Sequence, residues 1–212
     1  MPIFHLTEEL IFPHPTLAED GILAVGGDLS PERLILAYQN GIFPWYNEGE
    51  PIIWHAPDPR FVLFPEKLKI SKSLRQLINK KIYICTFNND FKNVIYNCKK
   101  IKRKNQNGTW ITDDMVNAYV NLYKLGFALS VEVYNKENKL VGGLYGVKLG
   151  KVFFGESMFS KESNTSKIAL AYLIEKLDLN LIDAQVHTQH LENLGGEYIS
   201  LSSFLNILKE NI

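Results

Sequence analysis

Apolar positions along this chain switch between a spacing of three and four, as on one face of a helix, and the short runs of a strand. The stretch SPERLILAYQNG carries Leu34, Ile35 and Tyr38 as one helical stripe, with Ser30 to cap, Pro31 in the first turn and Gly41 as the stop. Around it, residues 1 to 60 are rich in Pro, Gly and aromatics. FPWYNEGEPIIWHAPDPR holds four prolines and two tryptophans, which predicts an ordered aromatic loop and a connection, with a domain boundary near residue 58. Residues 1–58 are then a small N-terminal domain, and 59–212 the larger one.

The second part alternates. KIYICTF predicts a strand, and DFKNVIYNCKKI then places Phe91, Val94, Ile95, Cys98 and Ile101 on one helical face, which makes Cys98 a core residue. Thr112 can cap a helix bearing Val116, Tyr119, Val120 and Tyr123 that stops at Gly126. FALSVEVYN, KLVGGLYGVKL and KVFFGESMF follow as strands joined by the short turns KENK and LGK, an antiparallel meander. A helix through Leu170, Leu173, Ile174 and Leu177 precedes a strand at residues 181 to 187, and a short helix around Phe204 to Leu208 ends the pattern. This order predicts an α+β fold, with helices on a mostly antiparallel sheet that splays at its middle to hold a ligand.

Strand alternation in LIDAQVH puts Asp183, Gln185 and His187 on one side and Ile182, Ala184 and Val186 on the other. A carboxylate and an amide would stand side by side.

Composition narrows the function classes. The 212 residues hold 46% hydrophobic and 22% charged side chains, ordinary for a globular protein, and 23 basic residues cancel 23 acidic ones. Nucleic acid must therefore be met by a local patch rather than a global field. No apolar run approaches the roughly 20 residues of a membrane span, and no secretory signal opens the chain, so no membrane partner is expected. Cys85 and Cys98 suit neither a metal pair nor a disulfide framework, which points to the cytoplasm.

Glu156 interrupts an aromatic run, so it needs a cationic partner, a ligand amine in a cleft, or a strand-end lysine. Met158 shares its strand face and Trp110 precedes a helix start; each fits a pocket wall, although core filling and helix pinning are the commoner uses. Lys99, Lys100, Lys102, Arg103 and Lys104 crowd six positions, and Lys72, Arg75, Lys80 and Lys81 form a second basic set. Two such clusters in a neutral chain point to phosphate binding, against the alternative of solvated helix ends. His187 and His190 lack metal-site spacing, and the glycines of VGGLYGVKLG lie between strands rather than at a strand-to-helix turn. Neither a metal nor a nucleotide cofactor is expected.

GILAVGGDLSPERLILAYQNGIFPWY, PIIWHAPDPR, GTWIT, LVGGLYGVKLG, VFFGESMFS, SKIAL and LIDAQV together resemble the bacterial leucyl/phenylalanyl-tRNA–protein transferases, in that family's order. The resemblance implies a C-terminal domain with the fold of GNAT-type acyltransferases. It also implies transfer of leucine or phenylalanine from aminoacyl-tRNA to proteins beginning with Arg or Lys, marking them for N-end-rule degradation. By motif, Asp183 and Gln185 match the catalytic Asp-x-Gln, Trp110, Glu156 and Met158 match the substrate site, and Leu144 stands where methionine is common. Trp45 and Tyr38, in AY-x-x-GIFPW, join the site candidates. The tRNA would meet Lys72, Arg75, Lys99, Lys102, Arg103 and Lys104, and a monomer is expected. His55, Leu129 and Ala184 depart from the family's usual residues, the segment after Leu194 lacks its usual Arg, and the chain ends early.

The reaction so implied needs only a group that orients an α-amino nucleophile, because that amine, with a pKa of about 7.7 to 8.0, is already partly neutral. The expected arrangement has the Gln185 carbonyl oxygen accepting from the amine, and Asp183 accepting from the Gln185 amide. A GNAT-type acetyltransferase using CoA and a non-catalytic RNA-binding module are the alternatives. The first lacks a pyrophosphate loop, and the second leaves Glu156 and the Asp-x-Gln pair without a role.

Overall fold

Two sheets divide the chain in the computed structural model, which describes residues 3–101 and 110–212. The first has strands β1 (Phe4–Leu6), β2 (Ile22–Gly26), β3 (Phe43–Pro44) and β4 (Ile53–His55) in the order β1-β2-β4-β3, with helix α1 (Pro31–Gln39) between β2 and β3. The α1 signals act as expected: the Ser30 hydroxyl accepts from the Arg33 N–H, and Gly41 takes a φ of +72° just past the end.

The second sheet begins with β5 (Arg60–Leu63), so the change of sheet falls between His55 and Arg60. There follow α2 (Lys72–Asn79), β6 (Ile84–Phe87), α3 (Phe91–Lys100), α4 (Asp113–Lys124), β7 (Ala128–Tyr134), β8 (Leu140–Leu149), β9 (Val152–Ser160), α5 (Thr165–Lys176), β10 (Leu181–Gln185), α6 (Gln189–Glu192), β11 (Glu197–Ile199) and α7 (Leu201–Asn211). The seven strands lie in the order β11-β5-β10-β9-β8-β7-β6. Five of the six pairings are antiparallel, but β9 and β10 run parallel, so the sheet is mixed rather than plainly antiparallel. The cause is α5, which carries the chain back between two strands that then point the same way.

Alternation along β8 and β9 sends Tyr145, Val147 and Phe154 to one apolar cluster and Leu144 and Phe153 to another. The first cluster includes residues of α1, α3, α4 and α7 together with Leu23, Phe43 and Trp54 of the N-terminal sheet, and the second is built with α5 and Leu74 of α2. Burial on both faces explains why β7 to β9 read as nearly continuous apolar runs. Cys98 is buried in the first cluster, as its helical position predicted. In β8, a Cβ at Gly146 would lie 2.1 Å from the Phe154 carbonyl oxygen, beside a register shift, so this glycine permits the bulge and close approach expected of it. Among the described residues no helix is long and apolar enough to cross a membrane.

Candidate active site

The parallel pairing of β9 and β10 runs from Leu181 opposite Val152 to Asp183 opposite Phe154 and goes no further, although β9 continues to Ser160. The strands part there, as the predicted splay requires. A cavity of about 640 Å³ fills the gap, with Trp45, Trp110, Leu144, Phe153 and Met158 among its walls and Glu156, Asp183 and Gln185 as polar lining. Five of these were expected as substrate residues, and the geometry brings them to one place. Trp110 also packs against the first apolar cluster, so it lines the cavity and pins the start of α4 together.

Glu156 is 7% exposed and its carboxylate accepts three hydrogen bonds. Tyr38 Oη donates to Oε1 at 2.7 Å, Gln185 Nε2 to Oε1 at 2.8 Å, and Tyr119 Oη to Oε2 at 2.9 Å. The two tyrosine hydroxyls also touch each other. Burial pushes the Glu156 carboxyl up to about 7, against the three donors, which favour the charged form, and with the Asp183 charge adding to the rise. Burial and the Glu156 charge hold both tyrosine hydroxyls well above their ordinary range, so both stay protonated as donors. The expected cation beside Glu156 is absent among the described residues: neutral donors satisfy the carboxylate instead.

The expected Asp183–Gln185 side-chain pair is also corrected. Asp183, fully buried, faces Arg60, which donates from Nε to Oδ1 at 2.8 Å and from Nη2 to Oδ2 at 2.6 Å. Strict alternation fails because Gln185 has a φ of +64° and the register against β5 shifts between Asp183 and Gln185. The left-handed region costs a non-glycine residue on the order of 1 kcal/mol, and the bond that holds it is Gln185 N–H to Asp183 Oδ1 at 2.9 Å. The turn sends the Gln185 amide to Glu156, leaving its carbonyl oxygen with no donor among the described residues. Asp183 therefore holds the Gln185 backbone, and Glu156 rather than Asp183 accepts from the Gln185 amide. The predicted strand accordingly ends at Gln185, and His187, beyond it, pairs with Glu192 at 2.9 Å.

The family model described as leucyl/phenylalanyl-tRNA protein transferase matches residues 62–209, and the model of its N-terminal domain matches 27–58. The chain belongs to this family. It is 57% identical over 211 residues to the leucyl/phenylalanyl-tRNA–protein transferase of Flavobacterium johnsoniae, covering 98% of this chain and 99% of that one. It is 55% identical to the protein of the same name from Syntrophobacter fumaroxidans, covering 100% and 92%. Among solved structures, a GCN5-related N-acetyltransferase from Kribbella flavida superposes with a TM-score of 0.39 at 8% identity, over 80% of this chain and 61% of that one.

The remaining candidates of this transferase-family chain divide by position. Tyr38 does not line the cavity; it is fully buried behind Glu156 and acts on the wall from within. Lys72 and Arg75 are exposed on α2, outside the cavity wall. The Lys99 ammonium pairs with Asp113 at 2.7 Å, a cation at the end of α3 meeting the acidic start of α4. Lys102, Arg103 and Lys104 lie outside the described residues. Neutralising Lys72 and Arg75 together is expected to raise the KM for charged tRNA and to flatten its salt dependence by a log–log slope of roughly 0.7 to 0.9 for each phosphate no longer neutralised. A KM titration from low to high salt checks this; an unchanged slope assigns α2 to plain solvation.

Sequence reasoning missed Tyr119 and Arg60. In the sequence Tyr119 stands in an apolar stripe, and only the need of a buried Glu156 for donors singles out its hydroxyl. Arg60 opens the apolar strand RFVL, and a charge in that position was the available signal. The departures fit the site locally. His55 donates from Nε2 to the Trp45 carbonyl at 3.0 Å and stacks on Phe43, and burial lowers its pKa, which keeps it neutral in the wall behind Trp45. Leu129 is buried in the second apolar cluster, and Ala184 is half-buried beside the cavity.

Proposed function

We propose that this protein transfers leucine or phenylalanine from aminoacyl-tRNA to the α-amino group of proteins beginning with Arg or Lys, feeding N-end-rule degradation. The carrying observation is the Gln185 amide in the cavity, its Nε2 anchored on Glu156 and its carbonyl oxygen left for a ligand. That oxygen accepts a hydrogen bond from the neutral α-amine and aims its lone pair at the ester carbonyl carbon. A carbon–nitrogen bond forms, the carbon–oxygen bond to the ribose breaks, and the proton lost by nitrogen equals the one gained by the leaving ribose oxygen. Glu156, a carboxylate of the wall with no cation beside it among the described residues, supplies negative potential that favours a cationic acceptor terminus.

Trp110, Leu144, Phe153 and Met158 supply the apolar walls for the donor side chain. Residues 59–212 are read as a GNAT-type acyltransferase domain, because their sheet parts where the substrate would lie, and 1–58 as the small domain that adds Trp45 to the wall. Incubating the pure protein with leucyl-tRNA and an Arg-initiated peptide should yield a peptide lengthened by leucine. Product from acetyl-CoA instead, or none from either donor, would overturn the assignment.

Met158→Ala tests the donor pocket. Met158→Ala removes three heavy atoms of the apolar wall, and a single missing methylene in a hydrophobic pocket is already worth about 1 to 3 kcal/mol, so leucine and phenylalanine transfer should fall by different factors. Competition between the two charged tRNAs measures the ratio; no change in it returns Met158 to core filling.

A further inference from the structure

We propose that Arg60 is a positioning residue for the transfer step, which it controls by fixing Asp183 and, through Asp183, the backbone of Gln185. The inference rests on the reading of Gln185 given above. Arg60 and Asp183 are both fully buried, and the guanidinium grips both carboxylate oxygens. Such a pair is weak evidence for stability, because removing two charges from water offsets much of their attraction. Its geometry points to orientation instead.

The guanidinium lies between two rings, with Cζ 4.6 Å from the Phe43 centroid and 4.7 Å from the Phe204 centroid. Phe43 belongs to β3 of the N-terminal sheet and Phe204 to α7, so parts of the chain distant in sequence set the plane of the fork. Nη1 is buried without a hydrogen-bond partner among the described residues, so only Nε and Nη2 are aimed, and both are aimed at Asp183. Asp183 Oδ1 accepts from Arg60 Nε and from the Gln185 N–H together. One oxygen thus joins a rigid cation to the residue whose φ of +64° turns its amide towards Glu156. Lysine could match the charge but not the planar fork.

The test compares R60K, R60M/D183N and Q185A by Tm, kcat and both KM values. The D183N change keeps a side-chain oxygen for the Gln185 N–H while removing the unpaired charge that R60M alone would strand. A merely structural Arg60 would then give R60M/D183N near-normal kcat once its stability is recovered. The positioning role instead predicts kcat down about 10²-fold in R60M/D183N, with an intermediate loss in R60K, both KM values unchanged and the protein folded at assay temperature. Wild-type kcat in R60M/D183N, or wild-type kcat in R60K if the double variant does not fold, overturns the proposal while loss in Q185A leaves the Gln185 reading standing. Near-normal kcat in Q185A removes the Gln185 reading, and Arg60's role with it.

Discussion

Gln185→Ala is expected to lower kcat by about 10²-fold or more while the melting temperature stays near that of the wild type, the scale set by a positioned proton-handling group. The side chain is the only part removed: the bond from Asp183 to the Gln185 N–H belongs to the backbone and survives. Alanine can still occupy the left-handed region at a modest cost, and Glu156 keeps its two tyrosine donors. Asp183→Ala is a less clean change. It leaves Arg60 buried without its partner, and breaking a buried pair in this way typically costs about 3 to 5 kcal/mol, so a Tm drop should accompany the kcat loss. Asp183→Asn keeps an oxygen for the Gln185 N–H but still strands the Arg60 charge, so a Tm drop should accompany it too, with a smaller kcat loss than in Asp183→Ala. The Gln185→Ala/Asp183→Asn double variant should be scarcely slower than Gln185→Ala, since the aspartate acts through the glutamine. Near-normal kcat in Gln185→Ala would falsify the proposed role of this amide.

Local rules made α1 and α4 legible, since Ser30 and Thr112 both cap the helices that their positions announced. The order of strands and helices also predicted a sheet that opens at its middle. The parallel β9–β10 pair was within reach, because KVFFGESMF, a helix through Leu177 and LIDAQV form a strand–helix–strand series, which favours parallel strands. What stayed hidden depends on distance or on an unusual backbone. Arg60 meets Asp183 across 123 positions and Tyr38 meets Glu156 across 118, and no local pattern records such partners. Glutamine gives no signal for a positive φ, so alternation alone placed the Gln185 amide beside Asp183 rather than on Glu156. Residue types named the participants in the site, while the bulge at Asp183/Gln185 decided which side chain serves which.

Glu156→Gln should remove a pH dependence from both stability and rate. The wild-type carboxyl, pushed up to about 7 by burial from the 4.5 of an exposed glutamate, binds its proton more tightly in the folded chain than in the unfolded one. The raised value fixes the sign. The stability it contributes is fully present below the unfolded value and is lost as pH rises through about 7. A displacement of this size corresponds to on the order of 3 kcal/mol across the window. Denaturant unfolding at pH 5 and pH 8 should therefore show a wild-type loss that Glu156→Gln does not share. The variant can keep the fold: an amide oxygen at position 156 can accept from Tyr38 and Gln185, and its NH₂ can donate to the Tyr119 hydroxyl. It cannot supply charge, and hydrogen bonds to an ionised acceptor are roughly twice as strong as neutral ones. Polarisation of Gln185 should weaken, and kcat should fall by about 10-fold to 10²-fold. In the wild type the rate should climb as Glu156 ionises near pH 7, because only the carboxylate accepts all three donors at once. The variant should retain only the rise that follows the acceptor amine, at about 7.7 to 8.0. Superimposable pH–rate profiles for the two proteins would show that the charge of Glu156 takes no part in the transfer.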